Sequence, residues 1–239
     1  MARGAAAPAE RPHEAGRPDG PEERRRTRLV VNEIFHSIQG ESRHAGRPCV
    51  FVRLTGCNLR CVWCDTAYAF EEGAGMEVGT IAERVAAYET AYVLVTGGEP
   101  LAQTGVHDLF AELLDRGHEV AVETGGSLDI APVDRRVMVV MDLKPPGSGM
   151  TERNRWDNLL HLKAIDEVKF VVADRADYEW ARRVIAERRI QEICGVLLSP
   201  VHGVLHPRPL AEWMLADRLP ARLQVQLHKV IWPADMRGV

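Results

Sequence analysis

The sequence predicts an α/β fold on a mostly parallel sheet, curved into a complete or partial (β/α) barrel. Three observations carry this expectation. Short runs rich in Val, Leu and Ile alternate with longer amphipathic segments, as βαβ units do. Several runs are apolar on consecutive residues, the mark of strands covered on both faces. Polar residues gather at the ends of the runs: Thr96 with Gly97, Glu123 with Thr124, Asp142 with Lys144, Ser199, and His228 with Lys229. In barrel folds that edge carries the active site. The alternation alone also fits a doubly wound sheet, and the polar edge favours the barrel.

In chain order, residues 29–35 and 49–55 read as β-rich runs separated by Gly and Pro. A helix is expected over 80–88, a strand over 91–96, a helix over 106–117 closed by a Gly, and a strand over 118–124. Buried strands follow over 137–143 and 167–172, then an amphipathic helix over 177–189. A strand over 195–199, a helix over 209–219 and a last strand over 222–227 end the pattern. Residues 1–28 hold Ala, Pro, Gly, Arg and Glu with almost no large apolar side chain, so a disordered extension is expected there. Residues 29–239 then form the catalytic domain.

The 239 residues, 46% hydrophobic and 27% charged, suit a single globular domain with a tail. No apolar run is long enough to span a bilayer, which argues against a membrane protein. The net charge of −4 argues against a general nucleic-acid binder. Five cysteines, three of them within eight residues and none after a secretory signal, suit a metal centre in a reducing, cytoplasmic setting better than a disulfide framework.

Cys57, Cys61 and Cys64 form that cluster. Thiolates are soft ligands for iron–sulfur clusters, zinc or copper(I). Cys49 lies in an expected strand and Cys194 is remote, so neither supplies an obvious fourth thiolate, and both read as core residues. Three protein ligands leave one iron of a cubane open to a small molecule. The competing reading is a structural zinc site completed by His36 or His44, although zinc modules usually pair their ligands in two knuckles.

The segment Cys57-Asn-Leu-Arg-Cys61-Val-Trp-Cys64 resembles the CxxxCxxC signature of radical S-adenosylmethionine enzymes. Thr96-Gly97-Gly98-Glu99-Pro100 is similar to their second signature, whose backbone meets the methionine amino group. Further segments resemble the 7-carboxy-7-deazaguanine synthase family: Gln39-Gly40-Glu41-Ser42, Asp65-Thr66 after the last cysteine, Glu123-Thr124-Gly125-Gly126-Ser127, Asp142-Leu143-Lys144-Pro145, and Gln226-Leu227-His228-Lys229. The resemblance runs from about Val31 to Val239. It departs at Ser42, where relatives often carry Gly, at Gly125, where they often carry Asn, and at Asp142, where they often carry Ser.

The resemblance implies rearrangement of 6-carboxytetrahydropterin to 7-carboxy-7-deazaguanine with loss of ammonia, in queuosine and deazapurine biosynthesis. It implies a [4Fe-4S] cluster on Cys57, Cys61 and Cys64, S-adenosylmethionine regenerated in each turnover, and Mg²⁺ at Thr66. Trp63, Cys64, Asp65, Gly98, Glu123, Asp142, Leu143, Lys144 and Ser199 would meet S-adenosylmethionine. Ile38, Gln39, Gly40, Glu41, Arg53, Thr96 and His228 would meet the pterin, with the Arg53 fork on its carboxylate. A flavodoxin or ferredoxin as electron donor and a homodimer are implied as well. Plainer roles stand beside these: a structural ion pair for Arg53, a cap for Thr66, a turn for Glu99 and a hydrogen-bonded core position for His228. Lys169 is an unusual residue for a buried strand and is expected to point into the barrel. A glycyl-radical activase is the rival enzyme, a zinc-binding structural or nucleic-acid module the rival of another class, and a degenerate regulator the third.

Overall fold

The computed structural model describes residues 20–239. Nine strands form one sheet: β1 (Arg28–Ile38), β2 (Pro48–Leu54), β3 (Ala74–Glu77), β4 (Tyr92–Gly97), β5 (Glu119–Thr124), β6 (Met138–Asp142), β7 (Glu167–Val172), β8 (Gly195–Pro200) and β9 (Arg222–Leu223). Their order is β3-β1-β2-β4-β5-β6-β7-β8-β9, parallel from β2 onward and antiparallel at the β3–β1 and β1–β2 pairings. The order is open between β3 and β9, so the expected barrel is a partial one.

Side-chain alternation separates two cores. Val50, Val52, Val93, Val95, Val120, Val122, Val139, Met141, Val168, Phe170, Val196 and Leu198 pack into one large cluster with residues of α2 (Val78–Ala86), α3 (Val106–Asp115), α4 (Arg175–Arg188) and α5 (Pro207–Ala216). The intervening positions Cys49, Phe51, Tyr92, Leu94, Ala121, Met138 and Val140 form a second, smaller cluster together with Phe35. No helix residue belongs to it. Helices therefore cover one face and the other curls on itself, which is the barrel arrangement and not the doubly wound one.

On that inner face the apolar cluster gives way to polar residues toward the strand ends. The alternation that turns Phe51, Leu94, Ala121 and Val140 inward also turns Arg53, Thr96, Glu123 and Asp142 inward. Lys169 pairs in register with Asp142, and Ser199 lies on the same face of β8 as Leu197, opposite Val196 and Leu198.

Two elements differ from the sequence expectation. Within the stretch read as a disordered extension, Pro21–Arg26 is a short helix, α1. It buries no residue of its own and is held by charge: Arg24 to Asp115 at 2.8 Å, and Arg25 to Glu83 at 2.7 Å. An apolar count misses an element docked through arginines. The rest of that expectation, residues 1–19, lies outside the described residues. At the other end the expected strand over 222–227 shrinks to Arg222–Leu223. The Gln224 amide still donates to Leu198 O at 2.8 Å, but the chain then turns into α6 (His228–Ile231), which begins at His228.

The open side is spanned by two segments that bond to each other. Residues 39–47 follow β1, and residues 224–231 follow β9. Leu227 N donates to Gly40 O at 3.0 Å, Ser42 N to Gln224 Oε1 at 2.6 Å, and Arg43 N to Glu167 Oε2 at 2.9 Å. No helix among the described residues is long and apolar enough to cross a membrane.

Candidate active site

The loop after β2 carries the three cysteines. Cys57 and Cys61 are half-buried and Cys64 is exposed, all as free thiols. The loop is pinned by the buried Leu59, by Asn58 to Ser127 at 2.9 Å, and by Val62 N to Ser148 O at 3.1 Å. Burial pushes the thiols of Cys57 and Cys61 up. Metal binding, which needs thiolates, would therefore release protons there. Cys49 is buried in the inner apolar cluster and Cys194 in the outer one, so neither is a fourth ligand.

The zinc alternative lacks its histidines. His36 is engaged by Thr90 at 3.0 Å and stacks on Tyr88, while His44 meets Arg47 at 2.6 Å and lies against Tyr92. A donor set of three soft thiolates with no fourth protein ligand fits a cubane cluster with one iron open.

The turn after β4 lies directly against this loop. A Cβ at Gly97 would sit 2.1 Å from Leu54 O, and one at Gly98 would sit 2.1 Å from Gly56 O, so the two backbones meet only because both residues are glycine. Gly98 N donates to Leu54 O and Glu99 N to Gly56 O. Glu99 is fully buried and accepts from Leu101 N at 3.1 Å, Gly125 N at 2.7 Å and Thr124 Oγ1 at 2.9 Å. It does serve a turn, as its position before Pro100 suggests, and it also ties the end of β4 to the end of β5. Burial pushes its carboxyl up, against the pull of these donors.

Charged side chains converge on the inner face. Lys169 Nζ donates to Glu41 Oε2 at 2.7 Å and lies 3.4 Å from Asp142 Oδ1. Lys144 Nζ donates to the other Asp142 oxygen at 2.6 Å, and Thr96 Oγ1 donates to Glu123 Oε2 at 3.0 Å. Desolvation disfavours the Lys169 ammonium, but Asp142, Glu41 and Glu123 outweigh it and hold its pKa well above the ordinary value. Burial pushes Glu123 up, and the charges of Glu41 and Asp142 add to this against Lys169. Burial also opposes ionisation of Asp142, yet Lys144 and Lys169 bring its carboxyl below the usual range. Burial thus pushes Glu123 up while the two ammonium groups pull Asp142 down.

Gln39, Gly40 and Glu41 are buried in the segment after β1, next to Ile38 at the end of that strand. Gln39 Oε1 accepts from Glu41 N at 3.1 Å, while its Nε2 is buried with no partner. A Cβ on Gly40 would sit 2.1 Å from His228 Nδ1, which places the imidazole directly against this segment. Burial lowers the His228 pKa, so the ring is neutral at pH 7. Arg53 is an ion pair, its Nε 2.7 Å from Glu33, which Tyr68 also meets.

Asp65 and Thr66 turn toward the C-terminal segment: Asp65 Oδ2 accepts from Lys229 at 2.7 Å and Gln226 at 3.2 Å, and Thr66 Oγ1 donates to Asp65 Oδ1. Thr66 stands at the N-cap of the short helix Ala67–Phe70 without capping it through its side chain. Trp63 is half-buried beside Cys64, and Ser199 is buried on β8. Leu143 differs from the rest. Its side chain belongs to the outer core, so only its backbone borders the inner side.

Sequence reasoning missed Gln224 and gave Gln226 no role beyond its place in the terminal motif. Gln226 Nε2 donates to Glu41 Oε1 at 2.9 Å, and Gln224 Nε2 to Glu41 Oε2 at 3.2 Å. Their spacing of two placed both on one strand face, a signal that reads equally as a solvated edge.

The pattern of the radical SAM superfamily matches residues 51–143, from the inner-face Phe51 to Leu143. The chain is 50% identical over 214 residues to a 7-carboxy-7-deazaguanine synthase of Chlorobaculum tepidum, covering 88% of this chain and 97% of that one. It is 41% identical to one of Koribacter versatilis, over 88% of this chain and 100% of the relative. The crystal structure of QueE from Escherichia coli superposes with a TM-score of 0.69 over 84% of this chain and 95% of that one, at 22% identity, which bears on the fold. A match over 88% of the chain takes in the cysteine loop, the glycine turn and the inner-face charges together, and the chain belongs to the 7-carboxy-7-deazaguanine synthase family of radical S-adenosylmethionine enzymes.

Proposed function

We propose that this enzyme converts 6-carboxy-5,6,7,8-tetrahydropterin to 7-carboxy-7-deazaguanine and ammonia, feeding deazapurine and queuosine biosynthesis. The observation that carries this is the convergence of the Gln39–Glu41 segment and His228 with the inner-face charges beside the cysteine loop. Family membership sets aside the activase, the structural module and the regulator as readings of the chain.

When bound on Cys57, Cys61 and Cys64, the cluster supplies the electron that cleaves S-adenosylmethionine and starts hydrogen abstraction. The protein's own part is positioning. The N–H groups of Gly98 and Glu99 are tied to Leu54 and Gly56, which leaves carbonyl oxygens of that turn for the methionine ammonium. Asp142, Lys144 and Ser199 border the same side.

A reduced pterin offers donors and acceptors on one edge and a carboxylate on the other. The Gln39 amide can read a ring edge, since it both donates and accepts, and the buried Glu41 carboxylate accepts from ring N–H groups. Glu33 holds Arg53 by Nε, so the two terminal nitrogens form the fork for the substrate carboxylate. Glu123, whose carboxyl burial pushes up, pairs with Thr96 and would hold a proton near the nitrogen that departs as ammonia. The Thr66 hydroxyl is the hard oxygen that Mg²⁺ prefers, with water or substrate oxygens completing the shell. The single domain after the N-terminal extension would work as a cytoplasmic homodimer supplied by a flavodoxin or ferredoxin.

The test is anaerobic incubation of reconstituted protein with reductant, S-adenosylmethionine, Mg²⁺ and the pterin, read by mass spectrometry. Deazaguanine product that disappears in Cys61→Ala is the expected result. Reductive cleavage of S-adenosylmethionine with no product from the pterin would remove the substrate assignment.

A further inference from the structure

Lys169 belongs to neither half of the site as the sequence divides it, yet it touches both. It sits on the inner face of β7 and is 9% exposed. Its ammonium bonds Glu41, on the substrate side, and faces Asp142, on the cofactor side. A buried ammonium costs several kcal/mol in desolvation, and a hydrophobic residue of similar volume often serves stability as well or better. Stability alone is thus a weak reason for a lysine here.

The surrounding charges supply a better one. Glu41, Glu123 and Asp142 face Lys169 from three different parts of the chain, Lys144 shares Asp142, and His228 reaches the group through Glu41. Without Lys169, three carboxylates face one another with Lys144 as the remaining ammonium, and such a group responds by holding a proton. Glu41 would also lose its tether to the sheet and keep only Gln224 and Gln226.

We propose that Lys169 is a positioning residue that fixes Glu41 and Asp142 on one ammonium, so that pterin and S-adenosylmethionine are held in a set relation and an anionic pterin binds without a change in protonation. The proposal rests on the substrate reading above. Cluster-loaded protein with S-adenosylmethionine and no reductant, in which nothing turns over, is titrated with 6-carboxytetrahydropterin in buffers of different ionisation enthalpy.

The wild type is expected to bind with little proton exchange. Lys169→Met is expected to bind at least about tenfold more weakly and take up about one proton, with affinity recovering toward low pH. Lys169→Arg should restore the wild-type proton count. Lys169→Met that keeps its iron and its Tm yet binds like the wild type would overturn the proposal. Should Lys169→Met lose iron or Tm, Lys169→Met/Asp142→Asn balances the charge: the proton uptake then vanishes while the weaker binding stays, and restored affinity would show that net charge alone mattered. A wild type that binds no pterin overturns the substrate reading and this proposal with it.

Discussion

Ser42 has φ 63°, a left-handed conformation that a non-glycine residue adopts at a cost of about 1–2 kcal/mol. It stands where relatives often carry glycine, so the departure in sequence coincides with the conformation that explains their preference. Hydrogen bonds hold it in place. Its amide donates to Gln224 and its hydroxyl accepts from His44 N at 3.2 Å. Ser42→Gly relieves the strain but loses the hydroxyl and adds chain entropy, so a change within about 1 kcal/mol is expected. Ser42→Ala keeps the strain and loses the acceptor, and it is expected to be less stable than Ser42→Gly in urea denaturation. The reverse order would show that the hydroxyl, and not the backbone, governs this position. Lys169 was visible at this scale as a charge in an apolar run, but its partner Glu41 was not, because 128 residues separate them.

At the scale of elements most of the sheet was legible, because each strand from β4 to β8 is an apolar run bounded by turn residues, and β4, β7 and β8 are each followed by helical spacing. The open order and the division into two cores were not, since alternation says that a strand has two faces and not which one meets helices. Helix α1 escaped for a related reason: it docks through Arg24 and Arg25 and buries no side chain. The glycine turn was legible as a motif, while the part played by Glu99 came only from seeing β4 and β5 side by side. Glu99→Ala would leave Leu101 N and Gly125 N without their acceptor, at about 1–3 kcal/mol for each buried group. The expected result is a clear loss of stability in denaturant together with weaker S-adenosylmethionine binding, because the Gly97–Gly98 turn loses its brace. Unchanged S-adenosylmethionine affinity in a destabilised Glu99→Ala protein would confine Glu99 to the fold.

For the whole molecule, the open sheet raises the question of what completes the site where a closed barrel would have more strands. The answer lies in the two segments that follow β1 and β9. They bond each other at Gly40–Leu227 and Ser42–Gln224, and they reach the cysteine loop through Asp65, which Gln226 and Lys229 hold. The cluster loop itself depends on other partners: Ser127, Ser148 and the buried Leu59. Cluster binding and substrate binding therefore rest on different parts of the chain, and removing residues 224–239 should separate them. The truncated protein is expected to take up iron and cleave S-adenosylmethionine under reductant, while pterin turnover falls to background. Amide exchange at Ser42 should rise by a large factor, because its N–H loses Gln224, the partner that protects it. A truncated protein that still makes deazaguanine would place the substrate site wholly within the sheet. One that takes up no iron would show that the C-terminal segment holds the cysteine loop through Asp65 as firmly as it holds Glu41.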